Sequence, residues 1–94
     1  MTIGLIEDQL LFRRGIKSII NGWRDFEVVF ESENGFSVPE KMKNCEQVPE
    51  IMLVDLTLPP DGYEEYNGWR VVQFLKKNYP SIKVIILSAH EDNY

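Results

Sequence analysis

The segment "IMLVDLTLPPDGYEEYNGW", residues 51–69, decides the fold of the chain. It opens with four apolar residues, Ile51 to Val54, and the next residue is the acidic Asp55. A short, continuous apolar run predicts a strand buried on both faces, as in a parallel sheet covered by helices. In open parallel sheets, functional groups collect at the carboxyl ends of the strands. Asp55 is therefore the first candidate functional residue.

The rest of the chain repeats this pattern of apolar runs separated by amphipathic segments. Strands alternating with helices are typical of βαβ units, which build a parallel sheet with helices on both faces. We therefore predict an α/β fold with a doubly wound parallel sheet and the strand order 2-1-3-4. The predicted strands cover residues 3–6, 26–30, 50–54 and 82–87, and the predicted helices cover residues 9–21, 36–43 and 67–78.

Local signals predict how the helices begin, end and face the core. Asp8 is placed to cap the first helix, and Asn21-Gly22 is a suitable end for it. Pro39 fits the first turn of the second helix. The side chains expected to face the core are Leu11, Phe12, Ile16, Ile19, Ile20, Trp23, Phe30, Phe36, Val38, Met42, Trp69, Val71, Val72, Phe74 and Leu75.

Size, charge and cysteine content narrow the possible functions. A chain of 94 residues predicts one domain, and a net charge of −5 without a basic face argues against nucleic-acid binding by this segment. The single cysteine, Cys45, cannot form an internal disulfide, and the chain does not open on a signal-peptide pattern. The apolar stretches are too short to span a bilayer. We therefore expect a cytoplasmic protein that does not bind membranes.

Three carboxylates are predicted to meet at one edge of the sheet. Glu7 and Asp8 follow the first strand and Asp55 ends the third, and these two strands are neighbours in the order 2-1-3-4. Carboxylates this close repel one another unless a divalent cation or a proton lies between them. Oxygen ligands without a histidine or cysteine cluster favour Mg²⁺. An aspartate beside Mg²⁺ can serve as a ligand or as a nucleophile toward phosphorus. If Asp55 is phosphorylated, the hydroxyl of Ser88, which follows the fourth strand, can donate to the phosphoryl group.

Four segments carry a resemblance to a known family: "LIEDQLLFRRGIKSII" (5–20), "IMLVDLTLP" (51–59), "NGWRVVQFLKK" (67–77) and "KVIILSAHED" (83–92). Together they resemble the response-regulator receiver domains of bacterial two-component systems. The resemblance is strongest to receivers attached to helix-turn-helix output domains of the NarL/LuxR type. It implies a flavodoxin-like receiver domain over residues 1–94, with a DNA-binding output domain expected elsewhere in the full protein.

The resemblance also implies a role for each site residue. Asp55 would be the phosphoacceptor for a partner sensor histidine kinase, and the chain would be a signalling domain rather than an enzyme. Ser88 would be the switch hydroxyl, and Ala89 the small residue that keeps the phosphoryl path open. Mg²⁺ would be held by Glu7, acting mainly through water, and by Asp8, Asp55 and the backbone carbonyl of Thr57.

The chain departs from the family pattern in two places. Receivers usually continue with a helix, a fifth strand carrying a phosphoryl-pairing lysine and a final helix, whereas this sequence stops at Tyr94. We therefore expect a C-terminally incomplete receiver without the fifth strand, whose exposed fourth-strand edge favours a homodimer. The second departure is an insertion within residues 60–66. It follows if the third helix begins at Asn67-Gly68, which avoids the cost of about 1 kcal/mol for a glycine inside a helix that begins at Asp61-Gly62.

Two other functions stay open at this stage. One is an interaction module that assembles without phosphorylation, which the missing lysine and the acidic insertion favour and the intact acidic residues oppose. The other is a Mg²⁺-dependent phosphatase of the haloacid-dehalogenase type, which also uses a strand-end aspartate. That family needs a second acid two residues later, where this chain has Thr57.

Overall fold

The structure is a computed structural model that describes residues 1–56 and 67–87. The described strands are β1 (Thr2–Ile6), β2 (Glu27–Ser32), β3 (Ile51–Asp55) and β4 (Lys83–Leu87). The described helices are α1 (Leu10–Asn21), α2 (Val38–Asn44) and α3 (Gly68–Asn78). The predicted order of strands and helices is confirmed, and no boundary differs from its prediction by more than two residues.

All four described strands pair in parallel, in the order β2-β1-β3-β4. Ile6 at the end of β1 lies opposite Ser32 on β2 and Val54 on β3, and Asp55 lies opposite Leu87 on β4. The carboxyl ends of the four strands therefore lie on the same side of the sheet. This register confirms the predicted doubly wound α/β fold and brings the residues at the strand ends together.

The main core lies between one face of the sheet and the helices α2 and α3. Short apolar side chains at helical spacing on α3 meet apolar side chains from β1, β2 and β3, because a helix packs through one stripe of its surface. Val38 and Met42 of α2 complete the layer, as predicted. The buried members of this cluster are Ile6, Phe30, Val38, Met42, Met52, Val54, Val71, Val72, Leu75 and Ile82.

Among the described helices, α1 is the one that packs on the opposite face of the sheet. It buries Ile20 fully and Ile16 partly, but Leu11 is 84% exposed and Ile19 is 60% exposed. The prediction that the whole apolar stripe of α1 faces the core is therefore wrong, also for Phe12. Within the described residues, an apolar groove of about 430 Å³ lies beside α1. Its lining includes Ile3, Ile16, Ile19, Ile20, Trp23, Ile51, Leu53, Ile85 and Leu87. We call it the α1 groove.

Besides Phe12, three aromatic residues that were predicted to lie in the core are about half exposed. Trp69 is 56% exposed because it lies off the stripe through which α3 packs. Trp23 is 52% exposed just beyond the end of α1, where its ring meets Phe26 edge-on at 5.5 Å. Phe36 is 49% exposed because α2 begins only at Val38. Periodicity placed Trp69 on the correct helix but on the wrong side of it, whereas Trp23 and Phe36 lie just outside the helices.

The helix ends agree with prediction at two places and disagree at one. Asn67 caps α3, since its side-chain oxygen accepts a hydrogen bond from the backbone N–H of Arg70 at 3.1 Å. Gly22 follows α1, and its N–H donates to the carbonyls of Ser18 and Ile19. Asp8 does not cap α1, because the helix begins one residue later than a cap at Asp8 requires and Gln9 occupies the cap position. The Asp8 carboxylate lies instead in an acidic cluster.

Candidate functional site

A cluster of three carboxylates, which we call the acidic pocket, lies at the carboxyl ends of β1 and β3. It consists of Glu7 and Asp8, directly after β1, and Asp55, the last residue of β3. One carboxylate oxygen from each of the three lies within 4.8 Å of the other two. Glu7 and Asp55 are each only 2% exposed, and Asp8 is half-buried. The structure thus brings together the three acidic residues that the sequence placed at neighbouring strand ends.

All three polar groups of Glu7 are held by neighbours. Its backbone N–H donates to the carbonyl of Ser32 on β2 at 3.0 Å. Its backbone carbonyl accepts a hydrogen bond from Nη1 of Arg13 on α1 at 2.8 Å. Its carboxylate oxygen Oε2 accepts a hydrogen bond from the N–H of Gln9 at 3.0 Å. These contacts fix the turn from β1 into α1, on which two of the three carboxylates lie.

The acidic pocket changes the protonation of Glu7. The pKa of Glu7 is raised from its ordinary value of 4.5 to about 7, mainly by burial, because a buried carboxylate loses its hydration. The hydrogen bond from Gln9 opposes this shift, whereas a side-chain hydrogen bond with Asp55 and the charges of Asp55 and Asp8 contribute to it. Glu7 therefore tends to hold a proton between itself and Asp55 at pH values where an ordinary glutamate is ionised.

The donor set of the acidic pocket fits a hard divalent cation. Three carboxylates from three residues offer oxygen ligands and leave the remaining coordination positions to water, which is the arrangement that Mg²⁺ prefers. A cation between the carboxylates would also remove the repulsion that raises the pKa of Glu7. Asp8 and Asp55 would bind directly, and Glu7 would contribute charge from the buried side of the pocket.

The backbone around Asp55 is in contact with two other elements. The N–H of Leu56 donates to the carbonyl of Leu87, the last described residue of β4, at 3.4 Å. A Cβ atom added to Gly68 would lie 2.6 Å from the carbonyl oxygen of Asp55 and 2.7 Å from Cα of Leu56. Only glycine allows the first turn of α3 to approach so closely, so Asn67-Gly68 is the start of α3, as the sequence favoured.

Several predicted site positions lie outside the described residues. They are Thr57, Ser88, Ala89 and the insertion within residues 60–66, as well as the alternative helix start at Asp61-Gly62. Their proposed roles stay predictions. Sequence reasoning also missed two residues that shape the site. Arg13 looked like an ordinary exposed position on an amphipathic helix, and Ser32 like the end of a strand, because neither contact to Glu7 follows a periodic pattern.

In the part of the chain that the structure describes, no helix is both long and apolar enough to cross a bilayer.

Comparison with known proteins agrees with the fold. The family described as "Response regulator receiver domain" matches residues 3–94. The transcriptional regulatory protein DegU of Brevibacillus brevis is 34% identical over 90 residues, which are 96% of this chain and 35% of that protein. The chemotaxis protein CheY of Listeria monocytogenes is 39% identical over 87 residues, which are 90% of this chain and 65% of that protein.

Solved structures of receiver domains have the same fold. The response regulator domain of Thermotoga maritima CheB has a TM-score of 0.78 at 25% identity, covering 95% of this chain and 60% of that chain. The isolated receiver domain of RcsB from Salmonella enterica serovar Typhimurium, in the presence of the phosphomimetic BeF3-, has a TM-score of 0.80 at 21% identity. That match covers 98% of this chain and 64% of that chain.

The chain spans about a third of the DegU relative and about two thirds of the CheY relative. The family match nevertheless extends over nearly the whole sequence. The strand order and the acidic pocket at the carboxyl ends of β1 and β3 also agree with the segments on which the resemblance was based. The chain belongs to the response regulator receiver domain family.

Proposed function

We propose that this receiver domain is a phosphoacceptor, in which Asp55 receives a phosphoryl group from a sensor histidine kinase with the help of Mg²⁺. The observation that carries the proposal is the acidic pocket: three carboxylates within 4.8 Å of one another, two of them buried, at the ends of adjacent strands. Such a cluster is stable mainly with a cation or a proton. In this proposal an oxygen of the Asp55 carboxylate attacks phosphorus, and the bond between phosphorus and the phosphohistidine nitrogen of the kinase breaks as the new O–P bond forms.

Each residue of the acidic pocket has its own proposed role. Asp55 supplies the attacking oxygen, and Asp8 and Glu7 supply the negative charge that holds Mg²⁺ beside it. Bound Mg²⁺ would neutralise the charge that develops on the phosphoryl oxygens. The backbone carbonyl of Thr57 is proposed as a further ligand. The close contact of Gly68 with the carbonyl of Asp55 fixes the backbone that carries the nucleophile.

The response to phosphorylation is proposed to involve Ser88 and Ala89. Ser88 directly follows Leu87, which pairs with Asp55 across β3 and β4 and accepts a hydrogen bond from Leu56. The Ser88 hydroxyl is proposed to donate to a phosphoryl group on Asp55, and the small side chain of Ala89 is proposed to leave that path open. Phosphorylation of Asp55 would replace a carboxylate with one negative charge by a phosphoryl group with about two, and would add several strong acceptors, a change of the kind that can shift a two-state loop.

The test is phosphorylation by a small phosphodonor. Acetyl phosphate with Mg²⁺ should add one phosphoryl group to the wild-type protein, detected by intact mass spectrometry, and chelation of Mg²⁺ should prevent the addition. Asp55→Asn should abolish it. Asp25→Asn, at an exposed aspartate far from the pocket in sequence, is the matched control and should react like wild type. Labelling of the Asp55→Asn variant at the wild-type level would contradict the proposal.

The wider context belongs to the same proposal. We place the chain in the cytoplasm, as the receiver part of a longer response regulator whose output domain binds DNA, and we regard it as a signalling domain rather than an enzyme. Hydrolysis of p-nitrophenyl phosphate at a rate that depends on Asp55 would contradict the last point. The kinase is proposed as the phosphoryl donor because Asp55 needs a donor and the family belongs to two-component signalling.

A second candidate function is an interaction module that assembles without phosphorylation. One observation favours it: β4 lies at an edge of the described sheet and exposes Ile85 and Ile86 by about 40% each, beside the open α1 groove. Unpaired strand edges favour pairing with another chain. This function predicts a homodimer through β4 whose stability is the same for the wild type and for Asp55→Asn.

A further inference from the structure

The side chain of Arg13 connects the acidic pocket to the neighbouring strand β2. Arg13 lies in the first turn of α1, and its side chain is only 12% exposed. Nη1 donates to the backbone carbonyl of Glu7 at 2.8 Å, and Nε lies 3.5 Å from Oε1 of Glu31 on β2. The next residue, Arg14, is exposed. Of the two adjacent arginines, Arg13 is therefore the one directed toward the pocket.

Glu31 is itself held in place on two sides. Its Oε2 lies 2.6 Å from Nζ of Lys17 on α1, and its backbone carbonyl accepts a hydrogen bond from Nζ of Lys41 on α2 at 3.1 Å. The next residue of β2, Ser32, accepts the hydrogen bond from the N–H of Glu7. These contacts form a closed ring that runs from Glu7 to β2, through Glu31 to Arg13, and back to Glu7. The ring fixes the guanidinium group from both ends.

The carbonyl of Glu7 belongs to the peptide unit that joins Glu7 to Asp8. Because a peptide unit is planar, a hydrogen bond that fixes the direction of this carbonyl also fixes the orientation of the backbone of Asp8. Arg13 thus sets where the Asp8 carboxylate stands relative to Asp55 without touching either carboxylate. Removing a group that orients a metal ligand in this indirect way typically lowers metal affinity by about 10- to 100-fold.

We propose that Arg13 is a positioning residue of the acidic pocket, which holds the Glu7–Asp8 peptide unit in the orientation that Mg²⁺ binding requires. This inference rests on the proposed function of the pocket. It assigns to Arg13 a role that is separate from its charge, and the two roles predict opposite results. As a positive charge close to a cation site, Arg13 would weaken Mg²⁺ binding, so its removal would strengthen binding. As a positioning residue, it strengthens Mg²⁺ binding, so its removal weakens binding.

The experiment is a Mg²⁺ titration by calorimetry, with the folding of each variant measured in parallel by urea unfolding. Arg13→Ala should weaken Mg²⁺ binding by about tenfold, the lower end of the usual effect of such groups. Arg14→Ala removes the same charge from an exposed position and should bind Mg²⁺ as tightly as wild type or more tightly. Lys17→Ala loses a partner of Glu31 but leaves the bond from Arg13 to Glu7, so it should bind like wild type.

The outcomes separate the alternatives. Tighter or unchanged Mg²⁺ binding by Arg13→Ala would overturn the inference, and so would an equal loss in Lys17→Ala, which would indicate general loosening of the ring.

If Arg13→Ala does not fold, Arg13→Lys is the variant that tests the inference. Lysine keeps the charge but replaces the rigid, planar guanidinium with a single ammonium group on a flexible stem, so binding weaker than wild type is expected, and wild-type binding would overturn the inference. If the wild-type protein itself does not bind Mg²⁺, the proposed function fails first.

Discussion

Glu7 is the residue at which the acidic pocket most directly affects the stability of the protein. Its pKa is raised from 4.5 to about 7 in the folded state, mainly by burial. Between these two pH values the folded protein binds more protons at this site than the unfolded chain does. The linkage relation then requires that the free energy of unfolding falls as the pH rises from 4.5 to 7, and that the loss is complete above pH 7.

The first residue-scale prediction follows for the metal-free protein. Glu7→Gln removes the titrating group but keeps an oxygen that accepts the hydrogen bond from Gln9. Below pH 4.5 the variant and the wild type should have similar free energies of unfolding, and above pH 7 the variant should be more stable. Urea unfolding in the presence of a chelator, at a series of pH values, measures the difference. Glu33→Gln, at an exposed glutamate, is the control, and a constant offset between wild type and Glu7→Gln at all pH values would contradict the prediction.

The sequence predicted which carboxylates form the acidic pocket, but it did not predict the contacts that hold them in place. Glu7, Asp8 and Asp55 could be brought together because strand order alone makes β1 and β3 neighbours, and each acid follows its strand directly. The contact from Arg13 could not be predicted, because a side chain that bends back to a backbone carbonyl six residues earlier leaves no periodic signal. The sequence allowed a proton among the three carboxylates but did not predict that Glu7 would be the residue with the raised pKa, since this depends mainly on how deeply each carboxylate is buried.

At the scale of the elements, two glycines in helices have opposite roles. Gly68 lies at the start of α3, where an added Cβ atom would come within 2.6 Å of the backbone of Asp55. Gly15 lies inside α1, where an added Cβ atom meets nothing within 4 Å. The first glycine is needed for packing, whereas the second has no packing role visible in the structure and has the usual entropic cost of glycine in a helix.

These two glycines make a matched pair of predictions. Gly15→Ala should raise the free energy of unfolding by about 0.5–1 kcal/mol, because alanine restricts the unfolded chain and favours the helix. Gly68→Ala should lower it by about 1–3 kcal/mol, because backbone atoms cannot move aside cheaply. Urea unfolding of both variants measures the two changes. A Gly68→Ala variant as stable as wild type would show that α3 can shift away from Asp55 without cost.

Element boundaries were predictable where the signal is local, and side-chain directions were not. The start of α3 follows from the cap at Asn67 and the glycine after it, which act within one helical turn. The exposure of Trp69 and Trp23 depends on which neighbouring elements cover each side of a helix, and a single helix pattern does not contain that information. The direction of the Asp8 side chain likewise depends on neighbouring elements, because its carboxylate lies with Glu7 and Asp55 in the acidic pocket instead of capping α1.

At the scale of the whole molecule, the two faces of the sheet are covered unequally. The helices α2 and α3 cover one face, and the described part of the other face has α1 with the α1 groove beside it. The lining of the groove includes Ile85 of β4, which is 43% exposed, and Ile19 of α1, which is 60% exposed. Exposed apolar surface next to an unpaired strand edge favours association.

The whole-molecule prediction concerns association through the β4 edge. If the second candidate function applies, sedimentation equilibrium should show a dimer that strengthens with protein concentration. Ile85→Lys should shift the protein to the monomer, because a lysine on an edge strand opposes pairing with a second chain. Ile19→Lys places the same charge in the α1 groove but away from the edge, and it should leave the dimer largely intact. A wild-type protein that stays monomeric at all concentrations would rule out the edge dimer.

The contact between Gly68 and Leu56 also bears on how the chain can change during evolution or design. A Cβ atom added to Gly68 would lie 2.7 Å from Cα of Leu56, so the described residues on the two sides of the segment 57–66 lie close together in space. The entropic cost of closing a flexible loop grows only with the logarithm of its length, and doubling the length costs about 0.6 kcal/mol. Because the two flanks are held close together by β3 and α3, we expect additional residues between Leu56 and Asn67 to change the free energy of unfolding little. This position is therefore the one at which we would first test the insertion of foreign sequence beside Asp55.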